Sequence, residues 1–141
     1  MSASIDKNHG AGRLRLDHLI LRVADPEASA QFYRRTLGLT AERGESPLLN
    51  VFLALRLAPD CVIDLLPQAP RDPAHLALHT DRAGFEAVRT RLRTLRIGHG
   101  GGPFVRDGRA AAQYGARGWG EALYFHDLDG HNIEVRTYDP C

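Results

Sequence analysis

The sequence predicts an α+β domain built from two copies of a β-α-β-β-β unit. Three observations carry this reading. A strand-like segment followed by an amphipathic helix occurs in each half of the 141-residue chain. A Pro-rich stretch, PQAPRDP at 67–73, separates the halves. The first and last strands of each half place the same polar residue types among apolar ones. Duplication of one supersecondary unit produces such a pattern, and 141 residues suffice for one domain or two small modules sharing a core. The expected organisation is a disordered tail over 1–12 and a single domain over 13–141. Within that domain, module one is 13–66, the linker 67–73 and module two 74–141.

The opening MSASIDKNHGAG has no apolar core, so it is not read as a signal peptide. Residues 15–23, RLDHLILRV, read as a strand rich in branched and Leu side chains. Asp25-Pro26-Glu27 then combines an N-cap, a proline at the first helical position and an acid in the first turn. The helix runs to about Leu37, where Gly38 stops it, with Phe32 and Leu37 toward the core. Strands follow near 39–43, 49–57 and 61–66. The second half opens with a strand at 74–80, AHLALHT. Asp81 caps a helix in which Phe85, Val88, Leu92 and Leu95 recur on one face, and Gly98 is expected to end it. The Gly-rich stretch from Gly98 to Gly120 reads as a surface loop. Strands near 121–127 and 131–137 close the chain.

Composition narrows the function classes. The formal net charge is +1, with Arg residues scattered among acids and Lys7 the only lysine. That excludes a broad electrostatic footprint for nucleic acid or an anionic membrane. No stretch approaches the ~20 apolar residues that span a bilayer. The two cysteines, Cys61 and Cys141, form neither a CxxC nor a disulfide framework. A reduced, cytoplasmic setting is expected.

The paired positions are the most informative feature. Asp17-His18-Leu19 and Ala74-His75-Leu76 open the two halves; Ile63-Asp64-Leu65 and Ile133-Glu134-Val135 lie in their last strands. Side chains alternate across a strand with period two. Leu19, Leu21 and Val23 therefore share the helix-facing side, leaving His18, Ile20 and Arg22 opposite. On the fifth strand Leu76 and Leu78 leave His75, Ala77 and His79 opposite. On the last strand Ile133 and Val135 leave Glu134 and Arg136 opposite. Two imidazoles and one or two carboxylates thus point away from the helices. Such an N/O set suits a borderline divalent ion (Fe, Mn, Ni, Co or Zn) with open positions for substrate, and the absence of thiolates argues against structural zinc.

At these residues the sequence resembles the vicinal oxygen chelate superfamily of glyoxalases, bleomycin resistance proteins and extradiol dioxygenases. DHLILRVADPEASAQFYRRTLGL is similar to the family's opening strand and helix, HLALHTD to its second-module opening, and LYFHDLDGHNIEVRTYD to its closing hairpin, with Tyr124 ten residues before Glu134. The resemblance covers most of 15–138. It implies two βαβββ modules forming a half-open barrel around a divalent metal, held by His18, His75 and Glu134. Asp64 matches a fourth position where glyoxalases carry Glu; it is one methylene shorter, which leaves direct ligation there open. A homodimer is also implied, in some members with ligands from both chains.

The resemblance implies chelation of two neighbouring oxygens of a small-molecule substrate. Acids at both repeat-related positions favour glyoxalase-like lyase or isomerase chemistry, in which Glu134 or Asp64 moves a proton, while Tyr124 stands where the dioxygenase branch carries its catalytic Tyr. The alternatives are an extradiol-type ring-cleaving dioxygenase and a metal-free small-molecule (antibiotic) binding or resistance protein. For the dioxygenase, His79 or His126 would replace the missing acid/base His. The fosfomycin-modifying branch fits less well, because Ile20 stands where it carries Thr. Arg22, Arg109, Arg117 and His126 are the expected substrate contacts, with Arg106, Arg109 and Arg117 forming a gripping lid in the sharper reading of the Gly-rich stretch. Trp119 and Tyr114 would line a pocket or cover an interface. His9, His99 and His131 are read as surface residues.

Overall fold

The computed structural model describes residues 13–46 and 50–141; the tail expected over 1–12, with His9, lies outside them. Each half forms the expected unit. Module one contains β1 (His18–Val23), α1 (Pro26–Leu37), β2 (Thr40–Ser46), β3 (Asn50–Ala58) and β4 (Cys61–Pro67). Module two contains β5 (His75–His79), α2 (Arg82–Thr94), β6 (Ala111–Gly115), β7 (Gly118–His126) and β8 (Asn132–Thr137). The sheets have matching orders, β1-β4-β3-β2 and β5-β8-β7-β6. In each the first strand runs parallel to the last and the other pairings are antiparallel.

The local chemistry sets the helix ends. The Asp25 carboxylate accepts from the Ala28 N–H at 3.2 Å, Pro26 begins α1, and Gly38 at φ 71° closes it with its N–H on the Arg34 carbonyl. Asp81 caps α2 by accepting from the Gly84 N–H at 2.7 Å. The far end of α2 departs from expectation. The helix stops at Thr94, and Arg96, not Gly98, takes the left-handed conformation at φ 56°. The Ile97 N–H reaches the Leu92 carbonyl and the Arg96 N–H the Arg93 carbonyl. This paired reversal satisfies the last carbonyls and returns Ile97 to the core beside Leu92. Leu95 is left 41% exposed rather than in the core.

The Gly-rich stretch is also more ordered than its composition implies. It contains β6 and the start of β7, and Gly100 bridges Tyr124 in antiparallel fashion. Here the glycines permit close approach. A Cβ on Gly100 would lie 2.2 Å from the Val105 carbonyl oxygen, and one on Gly101 2.4 Å from the Ala111 side chain.

One face of each sheet packs on its helix, and the two modules share one core in which Leu21, Val23, Leu55 and Ile63 join Phe85, Leu92, Leu123 and Phe125. Polar bonds tie the modules together where β7 turns into β8. Asp129 accepts from the Ala24 N–H at 2.9 Å, and buried Tyr33 donates its hydroxyl to Asp127. His131 is buried, not a surface residue: its Nδ1 accepts from the Ala74 N–H at 2.8 Å and its Nε2 lies 2.7 Å from the Arg22 carbonyl. These two bonds fix the neutral tautomer with the proton on Nε2. His99 is buried as well, its Nδ1 on the Ile97 carbonyl at 2.9 Å. Neither sequence neighbourhood signals such backbone partners.

Candidate functional site

Strand parity and register place the candidate residues. In module one His18 pairs with Val62 and Ile20 with Asp64; in module two His75 pairs with Asn132 and Ala77 with Glu134. In both modules the acid therefore stands opposite the residue two beyond the histidine. The helix-free face of module two carries His75, Ala77 and His79 on β5, Glu134 and Arg136 on β8, and Tyr124 and His126 on β7.

Around Glu134 the side chains converge. His75 Nε2 lies 3.3 Å from Glu134 Oε1, and the Tyr124 ring stacks on the His75 ring at 5.8 Å. Glu134 is only 5% exposed. Its other oxygen, Oε2, accepts from Arg136 Nη1 at 2.7 Å, and Arg136 is 4% exposed. The guanidinium also donates to the Gln113 carbonyl at 2.8 Å and lies over the Tyr138 ring at 4.8 Å, while its Nε has no partner among the described residues. Burial, then the adjoining Glu134 carboxylate, raises the Tyr124 phenol above its ordinary range, so it remains a donor toward that carboxylate. A cavity of about 310 Å³, bordered by His75, His79, Tyr114, Glu134, Arg136 and Tyr138, opens over this cluster.

Module one presents the related half. His18 Nδ1 is 2.7 Å from Asp17 Oδ2, a bond that raises the imidazole above its ordinary value, with Asp64 adding to the effect. That bond leaves Nε2 available, the usual carboxylate–histidine arrangement of a metal ligand. Asp64 faces a second cleft, of about 330 Å³.

Of the expected donors, His75 and Glu134 have a spacing compatible with two ligands of one divalent ion as well as with a hydrogen bond. Two ligands each about 2.1 Å from one ion sit roughly 3.0–3.4 Å apart, and the His75–Glu134 separation is 3.3 Å. Arg136 leaves Glu134 one free oxygen, so coordination there would be monodentate. The structure brings together His75, Glu134 and Tyr124, and sets His18 and Asp64 on one face of module one. It does not gather both halves into one cluster within the chain. Among the described residues no group of three or more His, Cys, Asp or Glu side chains is arranged to hold an ion.

The other expected contacts scatter. Arg22 is exposed and borders a cleft with His131 and Asp72. Arg109 is exposed, and Arg117 lies over the Tyr138 ring at 4.9 Å. Arg106 turns inward instead of forming a lid, donating to the Gly102 carbonyl at 3.2 Å and to His126 Nδ1 at 2.8 Å. Burial, then the Arg106 charge, holds His126 below its ordinary value. Tyr114 and Trp119 form an exposed edge-to-face pair at 5.7 Å. The sequence reading placed Asp17 beside His18 and Tyr138 in the closing motif but gave neither a role. The i, i+2 spacing of Glu134 and Arg136 on one strand face was the available signal for their pairing.

The model of the Glyoxalase/Bleomycin resistance protein/Dioxygenase superfamily matches residues 15–135. Among solved structures, the oxidase ChaP-H1 is 26% identical with TM-score 0.72, over 89% of this chain and 97% of its own. The virulence protein STM3117 from Salmonella typhimurium is 26% identical with TM-score 0.67, over 89% and 98%. A glyoxalase/dioxygenase from Nostoc punctiforme is 26% identical with TM-score 0.65, over 90% and 92%. No curated protein matches.

Proposed function

From the premise that the chain belongs to the Glyoxalase/Bleomycin resistance protein/Dioxygenase superfamily, we propose that it is a divalent-metal-dependent enzyme that chelates two neighbouring oxygens of a small molecule, with lyase or isomerase chemistry. The observation that carries the reading is the 3.3 Å approach of His75 Nε2 to Glu134 Oε1, the spacing of two ligands on one ion. The working unit is a homodimer. His18, with Asp64 beside it, comes from one subunit, and His75 and Glu134 come from the other. Each chain carries two open halves of a site, and a two-fold axis that joins unlike halves completes two sites at once.

When bound, the ion supplies Lewis acidity to the chelated oxygens. The protein's own groups do the rest. Arg136 holds Glu134 Oε2, fixing that carboxylate on the sheet. Tyr124 stays protonated and directs its hydroxyl at Glu134. Asp64, on the facing half, carries the carboxylate that moves a proton to or from the substrate carbon. One observation favours a second reading, a metal-free binding protein: Glu134 already has a cationic partner in Arg136. For ring-cleaving dioxygenase chemistry, Arg106 engages His126, which leaves His79, at the border of the cavity over Glu134, as the acid/base candidate.

Mixed dimers test the proposal. His18→Ala and His75→Ala each remove metal binding as homodimers. Refolded together, they regain about half of the wild-type metal per dimer in the mixed species, because one of the two sites is then intact. No recovery would refute sharing between subunits, and no stoichiometric metal in wild-type protein at any loading would favour the binding protein.

A further inference from the structure

We infer that the substrate carries a carboxylate beyond its oxygen pair, and that the end of the module-two cavity away from His75 is the subsite that takes it. The inference deepens the reading proposed above and rests on it for the placement of the oxygen pair at Glu134. What points to an anion is a surplus of donors. Glu134 is the one carboxylate in the cavity wall among the described residues, and Arg136 already holds it at 2.7 Å. The neighbouring acids are committed elsewhere. Asp139 accepts from the Arg82 N–H at 3.0 Å, and Glu121 pairs with the Arg82 guanidinium at 2.9 Å.

Beyond Glu134 stand donors that meet no acceptor among the described residues. Arg136 is 4% exposed, and its Nε is unpartnered. The Tyr138 hydroxyl accepts from the Arg117 N–H at 3.2 Å, which leaves its own proton to give. His79 meets the Tyr138 ring edge-on at 6.1 Å, with both nitrogens free to engage a ligand. The Arg117 guanidinium lies over the same ring at 4.9 Å. A buried donor without an acceptor carries an uncompensated desolvation cost. A bound carboxylate, with two oxygens and their lone pairs, satisfies several such donors at once. Gly115 keeps this end open. A Cβ there would lie 2.4 Å from Arg136 Cζ and 2.6 Å from the Tyr138 hydroxyl oxygen, so a side chain would displace the donors.

Strand register gives the length of the ligand. Glu134 stands opposite Ala77, and Arg136 opposite His79. The two rows are about 7 Å apart, at ~3.4 Å of rise per residue. A chain chelated at Glu134 spans that gap with roughly four carbon–carbon bonds of ~1.5 Å. The cavity volume of about 310 Å³ sits at the lower limit of small-molecule pockets, which run roughly 300–1,000 Å³. The substrate class is therefore a small acid with an oxygen pair at one end and a carboxylate at the other. A short 2-oxo or 2-hydroxy diacid satisfies both conditions, in keeping with lyase or isomerase chemistry.

Calorimetry on the full-length, Zn²⁺-loaded protein tests this with 2-oxoglutarate and 2-oxopentanoate, which share the oxygen pair and differ in the far carboxylate. Wild type should bind 2-oxoglutarate about tenfold more tightly, the gain from charge-assisted hydrogen bonds at a partly exposed site. Arg117 and His79 are both exposed, so their replacement spares the core. Arg117→Met and His79→Ala should each cut the preference by about threefold, and the double variant should erase it. Binding of 2-oxopentanoate should stay unchanged throughout. Equal affinity in wild type, a preference that survives the double variant, or failure of 2-oxoglutarate to bind overturns the inference. His75→Ala separates it from the reading beneath it. If an ion chelates the oxygen pair, this variant weakens both acids by the same factor and the preference persists. If there is no metal centre, it changes neither affinity and the preference again persists, so the subsite stands without the ion. If the far carboxylate goes to the ion instead, the preference disappears with His75, which overturns the inference.

Discussion

Replacing Arg136 by Met puts the buried centre of module two to a quantitative test. Arg136 and Glu134 are 4% and 5% exposed and meet at 2.7 Å. Met roughly keeps the apolar stem but strands the carboxylate. Removing one partner of a buried ion pair costs about 3–5 kcal/mol, because the remaining charge loses its compensation while staying out of water. Two features favour the lower end. His75 Nε2 lies 3.3 Å from the same carboxylate and remains as a polar partner, and the Arg136 Nε is already without a partner among the described residues. The expected loss is about 3 kcal/mol, which for a domain of this size lowers the melting temperature by roughly 10 °C. Urea denaturation at fixed protein concentration, fitted for midpoint and slope, measures it. A double-mutant cycle with Glu134→Gln should return a coupling of at least ~1.5 kcal/mol, since the two groups share one contact. A loss below ~1 kcal/mol, or additive single effects, would show that the pair is not what holds Glu134 in place. Added Zn²⁺ or Ni²⁺ should recover part of the loss in Arg136→Met, because a bound cation would take over the role of the guanidinium.

Other perturbations probe separate parts of the fold. His131→Ala leaves the Ala74 N–H and the Arg22 carbonyl without partners. The expected cost is about 2–4 kcal/mol from the unpaired groups and the cavity, read by urea titration; a change under 1 kcal/mol would refute the bridging role. Arg96→Gly relieves a left-handed residue at φ 56° and should stabilise the protein by about 1 kcal/mol; calorimetry showing destabilisation would count against the assigned helix end. The His126 ring should titrate below 6.5 by imidazole NMR, and Arg106→Ala should raise its midpoint toward 6.5. Because the folded value is depressed, the Arg106–His126 contact contributes fully above pH 6.5 and is lost as pH falls through the folded value. Loop amides near Arg106 should therefore exchange faster at low pH, and an unchanged midpoint in Arg106→Ala would sink the argument.

What could be read from the sequence follows a physical divide. Local rules sufficed where neighbours along the chain decide the outcome: Asp25-Pro26 and Gly38 bound α1, and parity sorted His18, Ile20 and Arg22 from Leu19, Leu21 and Val23. They failed where the deciding partner is remote. His131 looks like a surface residue until the Arg22 carbonyl, 109 positions away, is brought against it. β6 went unseen because AAQYG is an edge strand with no buried face to impose alternation, and its register comes from β7. Arg96 carries no glycine to announce the left-handed turn; the Leu92–Ile97 contact imposes it. For the candidate site, parity shows which face a ligand occupies. It does not show which sheets confront one another, so the division of His18 and His75 into separate halves was invisible until the modules were placed.

The bonds around the β7–β8 turn bear on how the protein can have grown from its ancestor. Asp127, Asp129 and His131 all belong to the second repeat, yet their partners Tyr33, Ala24 and Arg22 lie in the first. The second repeat's turn is thus braced from the first as well as by its own Asp127 carboxylate, which accepts from the Asp129 and His131 N–H groups. A gene fragment encoding one repeat would strand buried polar groups, whereas two fragments supplied together should find each other. Circular relinking that keeps both copies should fold, and the intact chain should melt in a single step.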